Sequence, residues 1–489
     1  MEHEVDRPEM PGTRMLSLGR AVVVLVVGAV VTLAALVGAV AGFATGSHEQ
    51  PQPVSVTILG RDVLVQYSVP PTGLILAALL AMVVVAAGAI TFEAAALVRT
   101  FRNPERRALQ TVLPRWTLPA RRGQEPVRIT ILVPAHDEER SLPATLAALE
   151  EQTRRPNRVV VVADNCTDGT VAVARSFGHE AFETDGNVHR KGGALNQVLA
   201  KILPGMGADD VVMVMDADTR IGPRYLETAA ARLDSDPHLE AVGGVFFGEQ
   251  GHGLVGMFQR NEYRRYSQEI RRRRGRVFVL TGTASVFRAS ALAMVAAARG
   301  IYIPGEPGQV YDTAALTEDN ELTIALKSLG ATMVSPSDCT VTTELMPDAR
   351  HLWRQRLRWQ RGALENISAY GVTTATSRYW GQQVGIAYGT VALVSYFVLM
   401  TVTLLAFDEW VWFPFWLVVG SLFVFERVVT VWREGWAARF LALLVLPELL
   451  YDLFLQSVFV RSLLDILLRR RAGWGHVLHA ETAGEVSGG

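Results

Sequence analysis

Residues 21–46 contain no charged side chain and are mostly alanine, valine, leucine and glycine. An apolar helix of about 20 residues is long enough to cross a lipid bilayer. A signal peptide is the alternative, but its apolar core is normally only about 7–15 residues long. We therefore predict a transmembrane helix here, and the apolar runs at 73–91, 378–408 and 410–425 predict further spans.

Basic residues indicate how these spans are oriented. Arginines are frequent before residue 21 and again at 99–107, whereas residues 47–70 offer mainly Arg61. Positive charge accumulates on the cytoplasmic side of membrane proteins. The pattern predicts a multi-pass protein of the plasma membrane, with a cytoplasmic N-terminus and a cytoplasmic segment at 98–378. Residues 47–70 are then expected outside, as a small hairpin.

The last hydrophobic stretch, residues 440–468, allows two interpretations. Arginines flank it on both sides, and Glu448 and Asp452 lie within it on one helix face. Pro447 is expected to kink a helix here. Acidic residues at membrane depth normally face a bundle interior or water. The stretch is either a kinked, re-entrant or interfacial segment or a plain additional span, so the C-terminal spans number two or three.

Bulk composition excludes one class of partner. The formal net charge of −1 provides no overall field to attract a phosphate backbone, so we expect no nucleic-acid partner. The two cysteines, Cys166 and Cys339, are too few for a disulfide scaffold and are predicted to be free thiols. The arginine-rich run at 271–276 is either a solvated face or a contact with anionic lipid.

Between about 125 and 350 the composition becomes that of a globular α/β domain. Apolar runs at 128–134, 158–163 and 210–215 have the pattern of buried parallel strands, and a helical pattern follows each of the first two. All three runs stop at polar, acidic residues. Since ligands bind at the carboxyl ends of the strands in such sheets, we expect a nucleotide at this edge.

Two carboxylates, Asp216 and Asp218, directly follow the third apolar run. Carboxylate oxygens are the ligands that hard divalent cations prefer, and a bound diphosphate supplies further oxygens. Such a metal stabilises the charge that builds on a leaving nucleoside diphosphate. The alternative is an acidic turn with no ligand.

A second acidic segment, Thr317-Glu318-Asp319-Asn320, precedes a helical pattern. One interpretation is a helix start with Thr317 as the N-terminal cap. The other makes Asp319 a general base that takes the proton from an acceptor hydroxyl. The two interpretations are compatible, because the start of a capped helix is a rigid place for a base.

The segment Gln355-Arg356-Leu357-Arg358-Trp359 lies in a basic helical pattern. A basic amphipathic helix on the membrane surface explains much of this pattern, with Trp353 and Trp359 at the headgroup level. It does not explain an uncharged glutamine three residues before Arg-Trp.

Taken in order, DxD, TED and QxxRW resemble the pattern of processive family-2 glycosyltransferases, which include the cellulose, chitin, hyaluronan and bacterial poly-N-acetylglucosamine synthases. The resemblance covers residues 128–365. It implies an α/β fold of the GT-A-like type: a cytoplasmic nucleotide-diphospho-sugar transferase domain with a parallel sheet, flanked by transmembrane helices. The implied parts are two N-terminal spans with a short outside loop (1–98), the GT-A domain (99–350), an interfacial amphipathic helix region with QxxRW (351–378), C-terminal spans (379–471) and a tail (472–489).

The resemblance also implies which residues contact the donor. The end of the first strand would contact the nucleoside, through Pro134, Ala135, His136 and Glu138. His136 stands where the family usually has an aromatic residue, and an imidazole can still stack on uracil. Asp164 would accept a hydrogen bond from uracil N3–H, which favours a UDP-sugar. Lys191 and Asp216 would approach the diphosphate, while Asp216 and Asp218 would hold Mg²⁺ or Mn²⁺.

A further set of residues would handle the acceptor. By the same resemblance, Asp319 is the catalytic base with Glu318 beside it, and Thr283 lines the acceptor pocket. Gln355, Arg358 and Trp359 would stand at the mouth of that pocket, with Trp359 stacked under the acceptor sugar.

The implied reaction is an inverting transfer from UDP-N-acetylglucosamine or UDP-glucose to the end of a growing β-linked polysaccharide. The spans would pass the polymer outward, and Glu448 and Asp452 either line that path or form a structural polar pair. One alternative is the transfer of a single sugar to a polyprenyl phosphate or glycolipid. Another is a non-catalytic export subunit, against which the intact acidic motifs argue. The lipid bilayer, the donor and the acceptor are the expected partners, and the sequence does not identify any protein partner.

Overall fold

A computed structural model describes residues 54–58, 61–65, 126–273, 275–406, 411–412, 420–421, 424–425, 427–432, 435–468 and 470. The spans predicted at 21–46 and 73–91 lie outside the described residues, as do most of 410–425 and the tail. The strands and helices below therefore belong to these ranges alone.

The strands follow the chain in this order: β1 (Val54–Ile58), β2 (Arg61–Val65), β3 (Arg128–Ala135), β4 (Arg158–Ala163), β5 (Glu180–Glu183), β6 (Asp210–Met215), β7 (Arg220–Ile221), β8 (Leu239–Gly243), β9 (Val245–Gly248), β10 (Ala284–Arg288), β11 (Thr332–Val334), β12 (Thr340–Thr343) and β13 (Val411–Trp412). The α-helices are α1 (Leu142–Glu150), α2 (Thr170–Ser176), α3 (Arg190–Ile202), α4 (Tyr225–Ser235), α5 (Gly253–Arg272), α6 (Ala289–Ala298), α7 (Glu318–Ser328), α8 (Ala349–Tyr370), α9 (Ser377–Ala406), α10 (Trp436–Leu443) and α11 (Val445–Leu467).

A seven-stranded sheet forms the centre, in the order β11-β8-β10-β6-β3-β4-β5. Strands β3, β4, β5 and β6 are parallel, which confirms the strands predicted at 158–163 and 210–215, and β3 extends one residue beyond its prediction. The expectation of a purely parallel sheet is wrong at β10, which runs antiparallel to both β6 and β8. Every residue of β10 is buried. The strand therefore lacks the alternation of buried and exposed residues that is typical of antiparallel strands, and its sequence gave no sign of its direction.

Helices cover both faces of this sheet. Along β6, Val211, Met213 and Met215 face a core shared with α1, α2 and α4, whereas Val212 and Val214 face a core shared with α3, α6 and α7. Alternate residues of a strand point to opposite faces, so burial on both faces requires an uninterrupted apolar run. The polar residues after β3, β4 and β6 consequently meet at one uncovered edge.

Helix α8, which carries QRLRW, packs against α11. It begins at Asp348, whose Oδ1 accepts from the backbone N–H of Arg350 and of His351, each at 2.9 Å. The ring of Trp353 meets Phe454 of α11 edge-on at 5.5 Å, so a neighbouring helix covers part of this tryptophan.

The stretch predicted at 440–468 is two helices that break at Leu444, and Pro447 lies in the first turn of α11, where its missing N–H costs no helical bond. Glu448 Oε2 lies 3.2 Å from Arg265 Nη1 of α5, and Arg427 bonds both Glu448 and Asp452. These pairs support the structural interpretation of the two acidic residues. Among the helices of the described ranges, none combines the length and apolar composition needed to cross a bilayer.

The hairpin predicted in 47–70 is present, with β1 and β2 antiparallel. Strand β13 pairs with β2 in parallel, so at 411–412 the chain is extended and the helical span predicted from residue 410 is wrong there. Pairing with the backbone of β2 stabilises the extended conformation of this segment. Its apolar composition alone did not distinguish a strand from a helix.

Candidate active site

The loops at the carboxyl edge of the sheet turn sharply. Asp137 (φ 55°), Asn165 (φ 51°) and Arg190 (φ 57°) have a left-handed backbone, which non-glycine residues rarely adopt. Asp137 follows β3, Asn165 follows β4, and Arg190 starts α3. Such strain persists where the surroundings enforce it, and it gathers at functional sites.

The predicted nucleoside contacts come together here. Pro134 and Ala135 end β3, and His136 Nδ1 of the following loop lies 2.5 Å from the carbonyl oxygen of Asp164. Glu138 turns to its own helix start, where its carboxylate accepts from the Ser141 hydroxyl. The loops after β3 and β4 therefore contact each other through His136 and Asp164.

Asp164 is held by several donors. Its Oδ1 accepts from Asn187 Nδ2 at 2.8 Å, Thr184 Oγ1 at 2.9 Å and Asn165 Nδ2 at 3.2 Å, and the residue is 8% exposed. Asn187 was not predicted, because an isolated asparagine in a turn carries no signal of this role. The bonds fix the carboxylate, and Oδ2 makes no hydrogen bond to the described residues.

Lys191 connects the two acidic motifs. Its Nζ lies 2.6 Å from Asp216 Oδ1 and 3.2 Å from Glu318 Oε1. Burial opposes the charge on Lys191, but Asp216 and Glu318 outweigh it and raise the pKa of the ammonium above its usual value. Burial alone would likewise raise the pKa of Glu318, yet Lys191 and Arg358 hold that pKa below its usual value. Both groups are therefore charged, and the lysine joins DxD to TED.

Asp218 lies in a concentration of negative charge. Burial, then repulsion from Asp216, Glu138 and Glu344, raises the pKa of Asp218 to about 7. A divalent cation would relieve this repulsion, so the donor set fits a metal in which Asp216 and Asp218 supply carboxylate oxygens. Two carboxylates are an incomplete set, and the remaining ligands would come from a bound diphosphate.

Another acidic group lies beside the β4 loop. Asp137, Cys166 and Asp168 have potential ligand atoms within 4.8 Å of one another, and within the described ranges they are the group of three or more that meets this spacing. Their carboxylates already accept hydrogen bonds from Thr167 and Thr170. Cys166 and Cys339 are free thiols, as predicted.

Asp319 lies in the first turn of α7 and is held from two sides. Its Oδ2 accepts from Gly282 N at 3.0 Å and its Oδ1 from Asn320 N at 2.7 Å. Burial, followed by repulsion from Glu318, raises the pKa of Asp319 to about 6, although Lys191 acts in the opposite direction. A carboxylate of that pKa is ionised near neutral pH and is a stronger base than an exposed aspartate.

Thr317 is the N-cap residue of α7, so the predicted helix start is confirmed, but its side chain makes no capping hydrogen bond. Its carbonyl oxygen and its hydroxyl both lie 3.1 Å from Asn366 Nδ2 of α8. Gly362 permits this approach, because a Cβ there would lie 2.5 Å from Thr317 Oγ1. The threonine therefore joins the TED segment to the QRLRW helix, which sequence spacing did not reveal.

The acceptor residues surround the same edge. The backbone N–H of Asp216 donates to the Thr283 carbonyl at 3.0 Å. Burial, and then the charge of Arg358, lowers the pKa of Arg190, while Arg358 adds to the stronger effect of Lys191 in lowering the pKa of Glu318. Gln355 has a buried Oε1 that accepts no hydrogen bond from the described residues. The structure thus brings QxxRW next to TED.

Trp359 rests on a side chain that the sequence did not single out. The Arg356 guanidinium carbon lies 4.5 Å from the centre of the Trp359 ring, a cation–π distance. Arg356 Nη2 donates to Glu262 of α5 at 3.0 Å, and the Tyr451 hydroxyl of α11 donates to the same carboxylate oxygen at 2.7 Å. Residues of three helices therefore fix the Arg356 guanidinium that packs on the tryptophan ring.

A cavity that is partly open to solvent lies between Lys191, Glu318 and Asp319. Tyr311 also lines it, although the sequence predicted no role for this residue. The available signal was weak, because Tyr311 lies in a loop rich in glycine and proline.

Sequence comparison identifies the domain that carries these motifs. The profile described as "Glycosyltransferase like family 2" matches residues 126–362. The chain is 26% identical over 264 residues to a probable glycosyltransferase, YdaM, of Bacillus subtilis (strain 168), covering 51% of this chain and 58% of that protein. It is 25% identical over 247 residues to the poly-beta-1,6-N-acetyl-D-glucosamine synthase of Staphylococcus aureus (strain COL), covering 48% of this chain and 55% of that protein. The chain thus spans little more than half the length of these curated relatives.

Among solved structures, the chain resembles a mannosyltransferase of Pyrobaculum calidifontis, PcManGT, in complex with GDP-Man and Mn²⁺. The TM-score is 0.45 at 16% identity, covering 78% of this chain and 99% of that one. The DxD, TED and QxxRW motifs all lie within the residues that this family profile matches. Residues 126–362 of this chain therefore form a family-2 glycosyltransferase domain with a GT-A-like α/β fold.

Proposed function

We propose that this chain is an inverting membrane glycosyltransferase, which transfers a sugar from a UDP-sugar to the end of a growing β-linked polysaccharide. Its own membrane helices would then pass the polymer outward. The observation that carries the proposal is Lys191, whose ammonium lies between Asp216 of DxD and Glu318 of TED, at 2.6 and 3.2 Å. This contact brings the donor-binding edge of the sheet and the TED segment, which carries the proposed base Asp319, into one site.

In the proposed reaction, an acceptor hydroxyl oxygen attacks the anomeric carbon of the donor sugar. Asp319 takes the hydroxyl proton, the new C–O bond forms, and the bond from the anomeric carbon to the diphosphate breaks. The nucleoside diphosphate leaves with that electron pair, and the configuration at the anomeric carbon inverts. The two backbone N–H groups that hold Asp319 fix its orientation for this step.

Asp216 and Asp218 are the residues that would hold Mg²⁺ or Mn²⁺. When bound, such a cation neutralises charge on the leaving diphosphate. The nucleoside would lie at the loops of His136 and Asp164, whose fixed carboxylate suits the N3–H of uracil. N-acetylglucosamine is a candidate sugar, because a relative is named for its polymer; glucose is the other candidate.

Apolar surface supports a membrane location, with the N-terminus and the catalytic domain cytoplasmic. The side chains of Trp436, Phe440, Leu446 and Leu450 are 79%, 62%, 60% and 52% exposed. Exposed apolar surface of this kind on neighbouring helices indicates a contact with lipid or another apolar partner. The arginine flanks of the predicted spans support the same orientation.

A polymer acceptor is favoured by the platform at Trp359, because an aromatic ring suits the apolar C–H face of a pyranose. Transfer of a single sugar to a polyprenyl phosphate or glycolipid is the second candidate. A lipid acceptor would reach the site along the apolar faces of α9 to α11, whose exposed side chains include Val384 and Tyr388.

The test is UDP release by the purified full chain in lipid, with Mg²⁺ or Mn²⁺ and a panel of UDP-sugars, followed by sizing of the product. We expect UDP release coupled to a lengthening polymer. Addition of a single sugar to a lipid would reject the polymer proposal and support the second candidate, transfer to a polyprenyl phosphate or glycolipid. No release from any sugar nucleotide would favour a non-catalytic export subunit.

Trp359→Ala is expected to raise the acceptor KM by about tenfold, because it removes stacking area of the size that aromatic contacts contribute. The donor KM should change little, since Trp359 stands on the acceptor side. Trp353→Ala is the matched control on the same helix: its ring packs on Phe454, so it should lower Tm without a selective change in acceptor KM. An equal rise in both KM values for Trp359→Ala would contradict the assignment.

A further inference from the structure

The segment 277–282 approaches Asp319 without regular secondary structure. It lies between α5 and β10 in the chain, and Val277, Leu280 and Thr281 within it are buried. Backbone N–H and C=O groups in such a segment need partners, because it has no helical turn or strand ladder of its own to supply them. Several of these partners come from α7, the helix whose first turn holds Asp319.

One face of α7 runs along this segment. Asp319, Thr323 and Lys327 are spaced four residues apart, so their side chains lie on the same face of the helix. The fully buried Thr323 accepts from the backbone N–H of Leu280 at 3.0 Å and donates to the Asp319 carbonyl at 2.7 Å, both through Oγ1. This hydroxyl therefore joins the segment to the residue that carries the base, two residues before Gly282, whose own N–H donates to Asp319 Oδ2 at 3.0 Å.

Lys327 holds the start of the segment. Its Nζ donates to the carbonyl oxygens of Phe278 at 2.7 Å and Val277 at 3.0 Å. The Tyr379 hydroxyl, near the start of α9, accepts from the same ammonium at 2.8 Å. An ammonium has three donors and no acceptor, so these three oxygens match it fully. The lysine thus fixes the start of the segment, as the threonine fixes its middle.

The far end of the segment contacts both halves of the site. Thr281 and Gly282 line the cavity beside Asp319. The next residue, Thr283, accepts through its carbonyl from the backbone N–H of Asp216 at 3.0 Å. A displacement of the segment would therefore move a hydrogen-bond donor of the base. A misplacement of about 1 Å in a catalytic group can cost about a hundredfold in rate.

We propose that Thr323 and Lys327 are positioning residues for sugar transfer, which fix the segment 277–282 so that the N–H of Gly282 orients the Asp319 carboxylate. Neither belongs to DxD, TED or QxxRW, and neither lines the cavity that the described residues form. They act through the segment and touch no reacting atom. The inference rests on the proposed function, because it takes Asp319 as the base.

Thr323→Val tests the middle of the segment, because valine keeps the shape of threonine and lacks its hydroxyl. The N–H of Leu280 loses its acceptor and the segment loosens, so we expect kcat to fall about 10–100-fold. The rise in Tm on adding UDP should stay the same, because the donor loops of His136 and Asp164 lie elsewhere. Thr323→Ser keeps the hydroxyl and should restore kcat close to the wild-type value.

Lys327→Met tests the start of the segment. Methionine keeps the apolar stem and removes the donors to Val277 and Phe278. We expect kcat to fall by about three- to tenfold, the effect of a lost hydrogen bond, because the Tyr379 hydroxyl still donates to the Phe278 carbonyl at 2.5 Å. The Tm rise with UDP should again be unchanged.

The acid limb of kcat/KM is a readout that loss of stability alone does not move. Burial raises the pKa of Asp319 to about 6, and the N–H of Gly282 is among the groups that oppose this rise. At saturating Mg²⁺ or Mn²⁺, Thr323→Val and Lys327→Met should therefore move the acid limb to higher pH, by about one pH unit. Loss of the Lys327 proton would give an alkaline limb instead, since burial and the charge of Arg378 lower its pKa to about 7.

Tyr370→Phe is the matched control, because the Tyr370 hydroxyl donates to Glu321 on the opposite face of α7. It should lower Tm and leave both kcat and the acid limb in place. A lower Tm for Thr323→Val with kcat and acid limb unchanged, or no recovery in Thr323→Ser, would overturn the inference while UDP release still upheld the proposed function. If Thr323→Val does not fold, an unmoved acid limb in Lys327→Met would overturn it. Absence of UDP release by wild type would instead reject the proposed function and this inference with it.

Discussion

Asp319→Asn is expected to lower turnover by about 10²–10⁴-fold, the usual contribution of a positioned general base. The affinity for the donor should remain close to that of wild type, because Asp319 faces the acceptor. Asparagine keeps the size of the side chain and an acceptor oxygen for one of the two backbone N–H groups, of Gly282 and Asn320, that donate to Asp319. Turnover is measured by UDP release and donor affinity by ligand-induced Tm shift, and near wild-type turnover would remove Asp319 as the base.

The pH profile of kcat/KM separates loss of the base from loss of structure. The pKa of Asp319 is raised to about 6, so the base is protonated below that pH and wild-type activity should fall about tenfold per unit there. Glu318 is already ionised and Lys191 charged, while Tyr266, with its pKa raised to about 12, and Tyr311 stay neutral. Asp218, with its pKa raised to about 7, would also titrate in this range, so the profile is measured at saturating Mg²⁺ or Mn²⁺, where a bound cation favours its ionised form. Under that condition the acid limb near pH 6 belongs to Asp319 and should be absent from the residual activity of the variant.

Asp218→Asn is expected to weaken the apparent affinity for Mn²⁺ or Mg²⁺ by about 10–100-fold and to reduce turnover by about 10²–10³-fold at low metal. The carboxylate lies beside Asp216, Glu138 and Glu344, and the removal of its charge lessens the attraction for a cation. Tm without metal should rise or stay constant, because a repulsive buried charge is gone. Titration of UDP release with each metal measures the effect.

Asp168→Asn is the control for this prediction. Asp168 belongs to the other acidic group, with Asp137 and Cys166, and accepts from the backbone N–H of Thr170. Its replacement should cost some stability and leave the metal requirement unchanged. If Asp168→Asn weakened metal dependence as much as Asp218→Asn, the assignment of the metal to DxD would be wrong.

The strands at the donor edge were predictable because each is buried on both faces. An uninterrupted run of β-branched residues, as in Arg158–Ala163, leaves few alternatives to a central parallel strand. The polar residue that ends such a run must lie at the carboxyl edge of the sheet, so the positions of Asp164 and Asp216 could be predicted directly. The order of DxD, TED and QxxRW then indicated the family.

Other parts of the site depend on contacts between distant segments, and local pattern does not contain them. Lys191 forms an ion pair with Glu318. Thr317 accepts a hydrogen bond from Asn366 of another helix and makes no capping bond to its own helix. Arg356 donates to Glu262, which lies 94 residues away in the sequence. Each of these side chains is equally compatible with a solvated position in a helix or loop. The antiparallel direction of β10 was hidden for the same reason, since its partners are chosen by the tertiary fold.

The contacts between α5 and α11 impose an order on biosynthesis. Arg265 meets Glu448 across 183 residues, and the carboxylate shared by Arg356 and Tyr451 belongs to Glu262 of α5. A ribosome adding about 5–20 residues per second needs about 10–40 s to supply that stretch. During this interval α5 has been synthesised but its contacts with α11 cannot yet form. The arrangement that holds Arg356 against Trp359 is therefore complete only after α11 has emerged from the ribosome. Maturation of the acceptor side would therefore trail that of the donor side within every newly made molecule.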